Sequence, residues 1–114
     1  MTTRTPEEVF AHHGQSLGAE NLDEIVADYS DDAILIVQKE VYRGKEGARR
    51  VFTQLLKDFP AAAWELKTVF ADDVLYLEWK ATGGGHASQG AVDTFIFHDG
   101  MIRVQTVVYN VEPI

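Results

Sequence analysis

The chain has 114 residues, no cysteine, and 18 Asp+Glu against 10 Lys+Arg, for a net charge of −8. The length is that of one domain, and the 46% hydrophobic fraction is that of a packed globular chain rather than a disordered one. The acidic balance argues against nucleic acid and anionic membrane surfaces as partners. The missing cysteine excludes a disulfide scaffold, a thiolate zinc site and a cysteine nucleophile. Met1-Thr2-Thr3-Arg4-Thr5-Pro6 carries one basic residue and no apolar run, so no signal peptide is expected. No stretch approaches the roughly 18 apolar residues of a membrane span. A cytoplasmic setting is the expectation.

The first half reads as helical. Thr5-Pro6-Glu7-Glu8 is a capping box with proline at the first helical position. Phe10, His13 and Leu17 recur at helical spacing, with Val9 alongside, and Gly18 marks a stop. Asn21 starts a second, short helix whose stripe is Leu22, Ile25, Val26 and Tyr29, ended by Asp31-Asp32. Ala33 to Val37 reads as a strand, with Val41 to Arg43 as a partner. A third helix follows Gly44. Its apolar face is Ala48, Val51, Phe52, Leu55, Leu56 and Phe59, and Pro60 marks its end.

The second half reads as strands: Trp64 to Ala71, Val74 to Ala81, Ala91 to Phe97 and Ile102 to Val111. Asp72-Asp73, Gly83-Gly84-Gly85 and His98-Asp99-Gly100 supply the turns, so these neighbours pair antiparallel. Gly90 within a strand pattern predicts a bulge or bend. The fold class is therefore α+β, with N-terminal helices packed on one face of a curved, mostly antiparallel sheet. Such curvature over a helix leaves a conical pocket, a common place for a small ligand.

Asp93 is the sharpest chemical feature. Period-two alternation puts Asp93, Phe95 and Phe97 on one face and Val92, Thr94 and Ile96 on the other. Both faces are substantially apolar, so the carboxyl group is expected to be buried and its pKa raised. A protonated acid there can donate to a developing oxyanion or act as a general acid. The alternative is a structural Asp bonded to a turn amide or a tyrosine. His13, between Phe10 and Leu17, is read as a neutral buried imidazole, either free to take a proton or satisfied within the core. His12 is expected to point elsewhere and be solvated. Tyr29, Tyr76, Trp79, Gln105 and Tyr109 place polar tips near apolar surface. Trp79 shares a face with Leu75 and Leu77, and Gln105 alternates with Arg103, Val107 and Tyr109.

Other constellations are weak. His12, His13, His86 and His98 form no His-Glu-x-x-His motif. Asp28, Asp31 and Asp32 lack the calcium-loop spacing and read as a solvated helix end. The glycine run is not followed by a phosphate-cradling helix, and no serine sits in a nucleophile elbow. No metal or cofactor is expected.

The runs Asn21-Leu22-Asp23 to Tyr29-Ser30-Asp31-Asp32-Ala33, Tyr42-Arg43-Gly44-Lys45-Glu46-Gly47 and Asp93 to Ile102 together resemble the nuclear transport factor 2-like superfamily. That superfamily includes ketosteroid isomerases and SnoaL-like polyketide cyclases, and the resemblance spans Glu8 to about Tyr109. It implies a cone-shaped α+β fold. Laid on the ketosteroid isomerase pattern, Asp93 matches the oxyanion-hole aspartic acid and His13 falls where those enzymes carry a tyrosine. Val37 falls at the general-base aspartate, and Tyr29, Phe52, Gln105 and Tyr109 fall at pocket positions. Valine takes no proton, so the classical isomerase mechanism is not expected. SnoaL-like cyclases are similar in using an aspartate as acid/base without metal or cofactor.

Three readings follow. The first is a cofactor-independent pocket protein for a small, mostly apolar carbonyl- or hydroxyl-bearing molecule, isomerising, cyclising or dehydrating it by proton transfer. Asp93 is then acid or oxyanion donor and His13 base or second donor, with Tyr29, Phe52, Trp79, Phe95, Gln105 and Tyr109 shaping the site. The second is a non-catalytic binding or association module, which the resemblance equally implies. In either case a homodimer is expected through the outer sheet face of Val92, Thr94, Ile96, Val104, Thr106 and Val108. The third is a pocket filled by its own side chains, which Val37 and Phe52 favour.

Overall fold

A computed structural model describes residues 3–114; Met1 and Thr2, part of the stretch read above for a signal peptide, lie outside it. Three helices, α1 (Pro6–Gly18), α2 (Leu22–Ala27) and α3 (Gly44–Asp58), are interleaved with seven strands. The strands are β1 (Tyr29–Val37), β2 (Glu40–Arg43), β3 (Ala63–Ala71), β4 (Val74–Gly83), β5 (His86–His98), β6 (Met101–Val108) and β7 (Glu112–Pro113). The sheet order is β2-β1-β6-β5-β4-β3, with β7 paired to β5. Every pairing is antiparallel except β1 with β6. The molecule is α+β, helices on a mostly antiparallel, open, curved sheet.

Local chemistry explains the ends of the elements. Thr5 Oγ1 accepts from the Glu8 amide at 3.1 Å while Glu8 Oε1 accepts from the Thr5 amide at 2.8 Å, a complete capping box. Asn21 caps α2 through the Glu24 amide at 3.3 Å. Gln38-Lys39, Gly84-Gly85 and Asp99-Gly100 all have positive φ, the turn chemistry that matches the twist of a hairpin. Gly44, at φ +65°, is needed for space as well: a Cβ there would sit 2.9 Å from the Asp31 carbonyl oxygen.

Four boundaries and faces differ from expectation. Tyr29 opens β1 rather than extending the α2 stripe, and Asp31-Asp32 lie inside that strand. They fit because the β1–β6 register is irregular between Tyr29 and Ile34, where Asp32 accepts from Ser30 at 2.9 Å and from Arg103 at 3.1 Å. Arg103 is the extra residue of a bulge between the Ile96–Val104 and Phe97–Ile102 pairs, which breaks its alternation with Gln105. β5 begins five residues before Ala91, because the bulge around Gln89 and Gly90 shifts the strand's register without ending it. β6 stops at Val108, and the C-terminal residues instead form β7 against His86 and Ala87.

The core lies between the inner sheet face and the helices. α3 contributes Ala48, Val51, Phe52 and Leu55, with Phe59 beyond it, and the sheet contributes Leu35, Leu75, Leu77, Trp79, Phe95, Phe97, Ile102 and Val107. Val37 is also core, at the end of β1 beside Val107. None of the described helices is long and apolar enough to cross a membrane.

Candidate functional site

A cavity opens between α1 and α3 on one side and β3–β6 on the other. α1 supplies Phe10, His13, Gly14 and Leu17, and α3 supplies Val51, Phe52 and Leu55. The sheet supplies Trp64, Leu66, Leu77, Trp79, Asp93, Phe95, Gln105 and Val107, and Tyr109 follows β6. Counted with its open mouth the void is about 550 Å³, and the centre of a water-sized sphere can reach about 50 Å³ of it. Inside the narrow part there is room for a few waters or the end of a ligand.

Period-two alternation delivers Asp93 here. Its neighbours on the inner face, Phe95 and Phe97, are buried, while Val92 and Ile96 face outward. Asp93 is 3% exposed. Its Oδ1 accepts from the Trp79 indole nitrogen at 2.6 Å and its Oδ2 from Gln105 Nε2 at 2.7 Å. The two donors favour the anion, but burial outweighs them and pushes the carboxyl up to about 7. Each oxygen retains a lone pair beyond the bond it accepts. Asp93 can therefore take a proton or give one near neutral pH.

Gln105 is held from behind. The Tyr29 hydroxyl donates to Gln105 Oε1, and both residues are buried. Tyr29 does not border the cavity; it acts on it only through this bond. Val37 does not border it either. At the other end Tyr109 donates to Asp58 Oδ2 at 3.3 Å. Burial and the Asp58 carboxylate push its hydroxyl up to about 12, so Tyr109 stays protonated. Trp79, between Trp64 and Tyr109, has ring centroids 5.4 and 5.6 Å from theirs.

His13 lies among the rings of Phe10, Tyr29, Phe52 and Phe95, at 5.3–6.0 Å between centroids. Burial pushes it down to about 4, so it is neutral at pH 7. Nδ1 is buried with no hydrogen-bond partner. His13 and Asp93 line the same cavity but are not hydrogen-bonded to each other.

The sequence-derived candidates divide accordingly. His13, Phe52, Trp79, Asp93, Phe95, Gln105 and Tyr109 border the cavity, and Tyr29 and Val37 do not. Of the wall residues not singled out as site residues, Phe10, Leu17, Val51 and Leu55 were legible as helix faces. Trp64 and Leu66 on β3 carried no such signal. Two other readings are corrected. His12 does point away from the cavity and is about a third exposed (34%), but it is not free in water: its Nδ1 lies 2.6 Å from Asp28 Oδ2. Nor is Asp28 part of a solvated helix end; it is 1% exposed and also accepts from Arg4 Nη1 at 2.9 Å. Burial brings it to two remote donors that local spacing cannot show. Among the described residues no three His, Asp or Glu side chains gather as metal ligands.

Comparison with solved structures shows the same fold. IdmH, a candidate polyketide cyclase from Streptomyces antibioticus, aligns with a TM-score of 0.76 at 14% identity, covering 94% of this chain and 93% of that one. SalBIII, an epoxide hydrolase/cyclase-like enzyme of pyran ring formation in salinomycin, gives 0.75 at 17%, covering 96% and 95%. A candidate ketosteroid isomerase from Kribbella flavida DSM 17836 gives 0.76 at 14%, covering 95% and 81%. At these identities the likeness is one of fold. No curated protein matches the chain. The SnoaL-like domain matches residues 10–105, through both cavity-lining helices and the strand that carries Asp93, and the chain belongs to that family, within the nuclear transport factor 2-like superfamily.

Proposed function

We propose that the cavity binds a compact, mostly apolar carbonyl- or hydroxyl-bearing molecule and moves a proton on it, with Asp93 as the acid/base. The observation that carries this reading is a buried carboxyl group on the cavity wall, held by two donors and brought to about 7 by burial. In its ionised state Asp93 takes a proton from the carbon next to a carbonyl. The electron pair moves onto the carbonyl oxygen, to which the ring N–H of neutral His13 is proposed to donate. Asp93, now the acid, returns the proton. Delivery to a different carbon is isomerisation. Delivery to the oxygen left when the carbanion closes a ring is aldol-type cyclisation, and delivery to a departing hydroxyl releases water. The balance closes without an electron carrier.

His13, brought down to about 4, is the weaker base of the two, so the role of second donor suits it better than that of base. The narrow interior suits a ligand with a small reacting end, the remainder lying in the mouth. The isomerase and cyclase descriptions of similar folds agree with this class of chemistry.

The test is a thermal-shift titration of wild type and Asp93→Asn with phenols, hydroxynaphthoquinones, steroids and short terpenoid alcohols and epoxides. A ligand at about a hundred times its dissociation constant stabilises the fold by about 2.7 kcal/mol. The expected result is a hit that Asp93→Asn weakens, and whose turnover by wild type it cuts by a factor of about 10² or more. Undiminished binding and turnover in Asp93→Asn would remove Asp93 from the mechanism.

A non-catalytic association module is the second reading, and a specific observation favours it. The outer sheet face exposes Val92, Ile96 and Val108, joined across strands by the Val92–Val108 and Ile96–Val104 pairs. A homodimer through this face is compatible with either reading.

A further inference from the structure

Asp93 has two fixed donors, and they differ in kind. The Trp79 indole N–H can only donate. The Gln105 amide could present either end. Rotated by half a turn, it would offer its oxygen to Asp93 and so absorb the proton of a protonated carboxyl group. What opposes that rotation is Tyr29. Its buried hydroxyl donates to Gln105 Oε1, and turning the amide would leave that hydrogen without an acceptor in the core.

We propose that Tyr29 is a positioning residue for Asp93: by locking Gln105 with its NH₂ toward Oδ2, it leaves the cavity as the only direction in which a protonated Asp93 can donate. The proposal rests on the reading of Asp93 as the ligand-facing acid/base, but its test does not need a ligand. Three ionisable groups face this region, His13 on α1, Tyr29 on β1 and Tyr109 beyond β6, and two carboxylates stand behind them: Asp58 at the end of α3 accepts from Tyr109, and Asp28 acts on His13 and Tyr29. On the cavity wall itself α3 and β3 present only Val51, Phe52, Leu55, Trp64 and Leu66, none of which titrates.

Tyr29→Phe keeps the ring that packs on Phe52 and His13 and removes only the lock. The amide can then turn, so the anion loses a donor and the neutral acid gains an acceptor. The experiment is a ¹³C NMR titration of the Asp93 carboxyl in ligand-free wild type, Tyr29→Phe, Gln105→Met and the double variant, with circular dichroism to check folding. Tyr29→Phe is expected to raise the Asp93 midpoint by at least about half a pH unit. In the Gln105→Met background the same change is expected to do nothing, because the lock has lost what it locks. A midpoint unmoved by Tyr29→Phe, or a Tyr29→Phe effect of equal size in both backgrounds, would overturn the proposal. If Gln105→Met fails to fold, Tyr29→Phe alone still decides through its midpoint. Failure here would leave Asp93 as a possible acid/base, whereas failure of the ligand titration would leave the lock intact, so the two are separable.

Discussion

A carboxyl group buried among rings costs free energy in its charged form, and Asp93 carries that cost into the pH dependence of stability. Its folded-state value, about 7, lies above the ordinary 3.8. Its contribution is therefore most favourable below about 4 and is lost as pH rises toward 7. His13 runs the other way: held down to about 4 from 6.5, it contributes stability above about 6.5 and loses it as pH falls through that window. Replacing Asp93 by Asn removes the first dependence alone. The variant's melting temperature relative to wild type is expected to climb between about pH 4 and 7 and then level off, whatever constant offset the new amide brings. Thermal melts at one-unit pH steps check this, and a flat difference would mean that Asp93 ionises freely.

At the scale of elements, α1 is a cavity wall pinned at its outer side. Asp28, between α2 and β1, is almost fully buried and holds both Arg4 and His12, while Arg4 also donates to the Gly100 carbonyl at 2.8 Å. One carboxylate thus ties the N-terminal segment and α1 to the start of β1, and through Arg4 to the β5–β6 turn. Asp28→Ala leaves the half-exposed Arg4 to water but strands the buried site, and is expected to cost about 3 kcal/mol by urea denaturation. Asp28 raises the pKa of His12, so the part of the loss that depends on pH is present below about 6.5 and fades as pH rises through the raised value. This cluster also shows where local pattern stops being informative. The alternation that placed Asp93, Phe95 and Phe97 inside, and Leu75, Leu77 and Trp79 with them, operates over a few residues. Asp28 is buried by partners 16 and 24 residues away, and Tyr29 meets Gln105 across 76. Arg103 shows a different limit, since one bulge reverses the phase of everything on one side of it.

For the whole molecule, the two faces of one sheet have divided the work. The inner face carries the Asp93 carboxyl and its two donors. The outer face carries Val74, Tyr76, Val92, Ile96 and Val108, with Glu78 paired across from Val92 and accepting from the Tyr76 hydroxyl at its border. A monomer rarely leaves such a surface in water. Sedimentation at micromolar concentration is expected to give twice the chain mass for wild type and a single chain for Ile96→Glu with Val108→Lys. A monomeric wild type would remove the dimer and leave the cavity reading untouched. The fold class and the cavity's main walls were legible because they rest on periodicity and turn residues; the enclosed volume was not, because it depends on how far the rings of Phe52 and Trp79 reach into shared space.

The parallel pairing of β1 with β6 has a consequence in time. Tyr29 belongs to the first third of the chain and Gln105 to its last tenth, so the Asp93 cluster closes only once nearly every residue has emerged from the ribosome. Closing so long a loop is entropically slow, and contacts so distant in sequence lower the folding rate of small domains. Until then β1 presents an unpaired edge and Asp93 an unneutralised charge with free access to water. The surroundings of Asp93 cannot be completed before β6 is available, and a nascent chain that stalls short of β6 holds no half-formed version of the cluster.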